Sequence, residues 1–270
     1  MKAREKELIF NLLKNAGAQA NGGFVPPAFA TTPLFEDDGP QPVPQVQSTI
    51  NAGASEVSQS QEQYSAPSLG EQSNASPLTI ESISSKIQKC THCQLARTRT
   101  NVVPGEGVPH PDVLVIGEGP GYDEDMQGRP FVGKAGILLD KMLAAINLSR
   151  STNCFIANIV KCRPPQNRDP FPEEEEACFS FLEAQIKVLK PKMILCMGRI
   201  SGQKMLNTQE PVGKLRGNFF EYNGIPLMIT YHPSALLRNQ DLKRPAWDDL
   251  KKFRQKLDFL LENKSAGGNL

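Results

Sequence analysis

The chain has 270 residues, enough for one large domain or two small ones, and its formal net charge is only +1. That balance hides an asymmetry: 4 Lys+Arg stand against 9 Asp+Glu before Lys86 and 26 against 20 from there on, so an acidic segment precedes a basic body, a weak pointer to a nucleic-acid partner. No apolar run approaches the roughly 18 residues of a membrane helix, and the first 15 residues mix Lys2, Arg4 and Lys6 with Glu5 and Glu7 rather than forming an export signal, so a soluble chain in a reducing cytoplasm, with no membrane partner, is expected.

Residues 4–15 put Leu8, Ile9, Leu12 and Leu13 on one side of a short helix, either a docking element or a weakly stable terminal one, and 1–15 is read as that helix. The stretch 16–76 is rich in Gln, Ser and Pro, with Phe24, Phe29, Phe35 and Tyr64 as its only aromatics. It cannot bury enough surface to offset the entropy of ordering and is read as a disordered linker. A folded domain is expected over 77–263, opening where Ile80, Ile83 and Ile87 recur at helical spacing, with 264–270 as a flexible tail.

Beyond Pro111, short unbroken apolar runs alternate with helical patterns. Strands are predicted over 113–116, 155–160, 193–197 and 227–231, and helices over 135–146, 172–189, 200–206 and 244–261. This alternation specifies an α/β fold, an open and mostly parallel sheet flanked by helices, behind a disordered N-terminal extension. Ligands of such sheets bind beyond the carboxyl ends of the strands, which singles out residues 117–125, Asn158, Gly198 and His232.

Cys90 and Cys93 form a CxxC that by itself suits a zinc half-site, a redox pair or chance. Cys162 and Cys178, with 15 residues between them, can supply two further thiolates, and a four-cysteine set suits zinc or an iron-sulfur cluster equally. Cys154 and Cys196 lie in apolar runs and read as buried hydrophobes. Gly117, Gly119 and Gly121 allow a ligand close to the backbone without forming a dinucleotide fingerprint. On chemistry alone Phe131, in a glycine-rich stretch, is either a loop anchor or a stacking platform.

Four segments together carry more. Gly117-Glu118-Gly119-Pro120-Gly121 with Glu124-Asp125, then Gly128-Arg129-Pro130-Phe131-Val132-Gly133-Lys134-Ala135-Gly136, then Asn158-Ile159-Val160-Lys161-Cys162-Arg163-Pro164-Pro165, then His232-Pro233-Ser234-Ala235-Leu236-Leu237-Arg238-Asn239, resemble in order the motifs of the iron-sulfur uracil-DNA glycosylases, the fourth family of their superfamily. The resemblance runs from about residue 86 to about 261. It implies a [4Fe-4S] cluster on Cys90, Cys93, Cys162 and Cys178, structural rather than chemical in role. It further implies a monofunctional glycosylase that removes uracil from single- or double-stranded DNA and leaves an abasic site.

Residue by residue, the resemblance makes Phe131 the platform for an extruded uracil and Asn158 the amide that reads its edge, accepting from N3–H and donating to O4. His232 becomes the donor to O2, and Glu118 the carboxylate that orients water and steadies the sugar cation. Gly119 and Glu124 fall beside the base. Leu236 and Leu237, read as lying in a loop, become wedges for the gap left by the flipped base, with Arg238 beside them on the DNA. Arg238 and Lys161 are placed to meet phosphates, unless they are simply solvated charges. Two other readings remain open: a protein that traps uracil-DNA without turnover, disfavoured because residues 163–171 hold no histidine to link to the DNA, and a structural iron-sulfur or zinc module of a replication complex. A monomer is expected, with a replication or repair partner for the N-terminal segment.

Overall fold

A computed structural model describes residues 78–266. The expected terminal helix and linker, and residues 267–270 of the expected tail, lie outside the described residues. The ordered chain opens with α1 (Ile80–Gln88), capped by Thr79, whose hydroxyl accepts from the Ser82 N–H. A six-stranded sheet follows: β1 (Glu106–Gly107), β2 (Val113–Gly117), β3 (Cys154–Asn158), β4 (Met193–Met197), β5 (Phe219–Tyr222) and β6 (Ile225–Thr230), in the spatial order β1-β3-β2-β4-β6-β5. The four central strands are parallel, and β1 and β5 close the two edges antiparallel. This is the open, mostly parallel α/β sheet that the apolar runs specify.

The helices between strands are α2 (Tyr122–Gln127), α3 (Lys134–Ala144), α4 (Pro172–Leu189), α5 (Arg199–Leu206) and α6 (Val212–Leu215), and α7 (Pro233–Arg238) and α8 (Lys243–Ala266) follow the last strand. Because side chains alternate along a strand, β2 sends Val113 and Val115 into one core with Leu139, Leu143, Leu250 and Phe253 of α3 and α8. It sends Leu114 and Ile116 into the other, with Leu182, Ile186 and Leu189 of α4. Both faces are covered, which is why the central strands read as solid apolar runs.

The structure departs from the sequence reading at four points. β3 ends at Asn158 rather than 160, and β6 begins at Ile225. The edge strand β5, joined to β6 by a tight Asn223-Gly224 turn with both residues at positive φ, was not anticipated: its exposure alternates, so it lacks a buried run. At the C-terminus α8 continues to Ala266, taking the first three residues assigned to the tail.

Chain order along the sheet sets the position of the site. β2 connects to β3 on one side, while β4 connects toward β6 on the other, so the loops after β2 and β4 diverge and open a crevice at their carboxyl ends.

Candidate active site

A cavity of about 620 Å³ occupies that crevice, and the loops after β2, β3, β4 and β6 all contribute to its wall. Glu118, Gly119, Glu124, Phe131, Asn158, His232 and Arg238 line it together, although they span 121 positions of sequence. Their convergence begins with the register of β2 on β3, which sets Gly117 opposite Asn158. A Cβ on Gly117 would lie 2.4 Å from Asn158 Oδ1 and 2.6 Å from Phe131 Cζ, so the ring and the amide occupy the space that a side chain would fill.

Phe131 is buried and sits at φ +52°, a strained position for a residue with a side chain. Its loop is held from two directions. Glu124 Oε1 accepts from the Val132 and Gly133 N–H groups at 2.8 and 2.9 Å, and Oε2 accepts from the Gly121 N–H at 3.1 Å. Arg150 donates to the carbonyls of Pro130 and Phe131, both at 2.9 Å. The carboxylate of Glu124 is thereby committed to the backbone.

Asn158 is 1% exposed, and its Oδ1 is the one buried side-chain N or O atom among the described residues without a hydrogen-bond partner. An acceptor buried without a donor costs free energy, so this oxygen is set up for a ligand that brings one.

His232 caps the N-terminus of α7. Its Nδ1 accepts from the Ser234 N–H at 3.1 Å and lies 2.8 Å from Ser234 Oγ. With Nδ1 serving as acceptor, the ring proton of the neutral form is on Nε2. Burial, helped by Arg238 and opposed by Glu124, pulls its pKa down to about 4, so the ring is a neutral donor at physiological pH. Gly198, at φ +98°, lets the imidazole pack close, since a Cβ there would lie 2.8 Å from His232 Cβ. The Phe131 and His232 rings are 5.5 Å apart between centroids.

Glu118 is half-buried, and its pKa is pushed up to about 7, first by burial, then by Asp169, against the attraction of Arg199. Asp169 and Arg199, both at the cavity wall, form an ion pair of their own. These two, with Tyr231 and Ser234, are wall residues that the sequence reading missed. The loop position of Gly198 was the available signal for Arg199.

Two placements differ from the sequence reading. Leu236 lies in α7, not in a loop, and is 2% exposed in the core beneath α3 and α8, because the helix turns it inward; Leu237 packs partly against the same core. Neither leucine lines the cavity. Lys161 is no phosphate contact: it is 1% exposed and bonded within the protein.

Cys90, Cys93, Cys162 and Cys178 line one small void between α1 and α4, the latter two nearly buried. Arg99 Nη1 donates to Cys162 Sγ at 3.0 Å, and the Lys161 N–H donates to Cys178 Sγ at 3.3 Å. Donors aimed at sulfur suit thiolates. Among the described residues no three His, Cys, Asp or Glu side chains converge as around a single metal ion. Cys154 and Cys196 are buried in the sheet.

Comparison with known proteins places this architecture. Residues 104–251 match the model of the uracil DNA glycosylase superfamily. A type-4 uracil-DNA glycosylase of Thermotoga maritima is 43% identical over 184 residues, 65% of this chain and 93% of the relative. One from Archaeoglobus fulgidus is 38% identical over 183 residues, 65% of this chain and 92% of the relative. A type-5 uracil-DNA glycosylase of Pyrobaculum aerophilum is 29% identical over 151 residues, half of this chain and 66% of the relative.

The burial of Leu236 makes a prediction independent of function. Leu236→Ala should lower unfolding free energy by about 2–5 kcal/mol in a denaturant titration, as expected for a cavity in a packed core. A loss below about 0.5 kcal/mol would show that the side chain is not part of that core.

Proposed function

The chain belongs to the uracil-DNA glycosylase superfamily, and we propose that it is a monofunctional uracil-DNA glycosylase, hydrolysing the bond between uracil and deoxyribose to leave an abasic site. The observation that carries the residue-level reading is the buried, unpartnered Oδ1 of Asn158 at the base of the cavity. An extruded uracil on the Phe131 ring would offer N3–H to that oxygen and O4 to the Asn158 amide N–H. Cytosine presents the inverse pattern.

Bond cleavage moves an electron pair onto the departing base, and much of the charge collects on O2. His232 supplies a neutral Nε2–H donor there, preorganised by its cap on α7, and its bond strengthens as the charge develops. A neutral donor suits this role because it stabilises the uracil anion without first losing a proton of its own. Water adds to C1′ of the sugar cation. Glu118, as carboxylate, steadies that cation and accepts the proton that the water releases.

The four cysteines suit a [4Fe-4S] cluster: they line a shared void, and the sulfurs of Cys162 and Cys178 accept from N–H donors. Bound there, the cluster would anchor α1, α4 and the chain after β3, and it takes no part in the hydrolysis. Arg238, exposed at the cavity wall, would meet the DNA backbone. Among the described residues no helix is long and apolar enough to cross a membrane, and unpaired thiols suit the cytoplasm or nucleoid.

The deciding assay is turnover on a uracil-containing oligonucleotide: free uracil and alkali-labile abasic DNA are expected, and stoichiometric binding without release would overturn the enzyme reading. Its pH profile has a defined sign. Glu118 becomes mostly ionised as pH rises through about 7, so the single-turnover rate should rise with pH through that region and Glu118→Gln should flatten the rise. His232 stays neutral throughout, so a rise that persists in Glu118→Gln would remove the assigned role.

Asn158→Asp should lose uracil cleavage by about 10²-fold or more, because an ionised carboxylate faces O4 with no donor. Slow cytosine cleavage, greater at lower pH where the carboxyl group is protonated, is the expected gain. Parental uracil cleavage by this variant would end the reading of Asn158.

Protein purified without oxygen should contain iron and sulfide, lost on replacing any of Cys90, Cys93, Cys162 or Cys178 but retained on replacing Cys154 or Cys196. Stoichiometric zinc in fully active protein would overturn the cluster.

A further inference from the structure

Lys161 joins the cavity to the cysteines. Its Nζ donates to the main-chain carbonyl of Asn158 and to Oε1 of Gln185, both at 2.8 Å. Gln185 is fully buried and in turn donates to the carbonyl of Pro104 at 2.7 Å. At the other end, the Lys161 N–H donates to Cys178 Sγ, its carbonyl accepts from the Val103 N–H at 2.8 Å, and its side chain lines the cysteine void.

An ammonium with two neutral acceptors is an expensive group to bury, and it is placed where no phosphate can reach it. The strand pattern shows what it replaces. β1 pairs only with Phe155 and Ile156, so the ladder on that side of β3 stops before Asn158. The Asn158 carbonyl points to this vacant side, since the next residue, Ile159, bonds toward β2 through its N–H. In the register of β1 on β3 the position opposite Asn158 is that of Pro104, which has no N–H to give, and Lys161 reaches back three residues to supply the donor.

We propose that Lys161 is a positioning residue for base selection: working from the cysteine side, it fixes the backbone of Asn158 and with it the plane of the amide that meets uracil. This rests on the reading of Asn158 as the residue that meets the base edge. A tethered carbonyl keeps the unpartnered Oδ1 from relaxing toward another donor, so the cost of leaving it unpaired is kept until the base arrives.

Lys161→Met keeps most of the stem and removes the donor. Single-turnover cleavage of uracil-DNA should fall by about tenfold or more, while affinity for abasic DNA stays within about twofold and metal content is unchanged. The discriminating readout is a cycle with Asn158→Ala, in which Lys161→Met should cost nothing further if it acts through Asn158. An unchanged rate in Lys161→Met, or a full additive loss in the Asn158→Ala background, overturns the proposal. If Lys161→Met does not fold, Gln185→Leu, which removes one of the two acceptors, carries the same cycle with an expected loss of about threefold and the same requirement of non-additivity. Parental cleavage by Asn158→Ala alone would overturn the reading of Asn158 and the proposal with it. An inert Lys161→Met beside a damaged Asn158→Ala would overturn the proposal alone.

Discussion

The site depends on a missing side chain at one point of the sheet. Gly117 ends β2 directly opposite Asn158 at the end of β3, and the space of its absent Cβ is shared by the Asn158 amide and the ring of Phe131 from the loop after α2. Any other residue there would separate Phe131 from Asn158, the platform from the edge reader. The parallel register thus does more than close a ladder: it brings a polar group and an aromatic face to the bottom of the crevice that chain order opens between β2 and β4. The glycine is needed for the approach rather than for an unusual φ, since β2 is ordinary strand up to that residue.

Holding Phe131 in place takes more than packing. Its left-handed backbone is unfavourable by itself, and two charged side chains bind the loop on either side: Glu124 through its N–H groups and Arg150 through its carbonyls. Arg150 is itself held by Asp140 and Glu106, so the restraint extends to the edge strand β1. Gly136 completes it, because a Cβ at that position would lie 2.0 Å from the carbonyl group of Phe131. Rigidity of this kind is a condition of selectivity, since an edge reader and a stacking face discriminate only if they do not move apart to accept the wrong base.

The central strands and most helices were legible in the sequence because both faces of the sheet are buried, which turns each strand into an unbroken apolar run. β5 was not, because one of its faces is solvated; the Asn223-Gly224 pair ahead of Ile225 was the signal for it. Cavity residues were legible as motifs, yet the two errors there share a cause. Leu236 was read by position in a motif and Lys161 by its charge, and neither reading includes the direction in which the local backbone points a side chain. His232, the extended N-cap ahead of α7, faces the cavity, while Leu236 within the helix faces the core. At Lys161 the chain has left the ladder and turned inward, burying a residue type that is seldom found inside. Neither the protonation state of His232 nor the pKa of Glu118 had any trace in the sequence, since both follow from burial and from neighbours such as Glu124 and Asp169 that distant segments bring.

The electrostatics of the cavity follow from how these neighbours are divided. His232 is kept neutral by burial, and its cap on α7 uses the lone pair that would otherwise accept a proton, so its donor is fixed in identity and direction. Glu118 sits beside a second carboxylate, Asp169, whose charge is largely absorbed by Arg199. Were Asp169 unpaired, Glu118 would be driven further toward its neutral form and could neither steady a cation nor take a proton from water. Burial does most to raise Glu118 toward its neutral form, and the Asp169–Arg199 pair limits how much the second carboxylate adds. An anion forms at the His232 end of the cavity and a cation near Glu118, so a neutral donor at one end and a carboxylate at the other match the charge separation of the broken bond rather than that of the intact nucleotide.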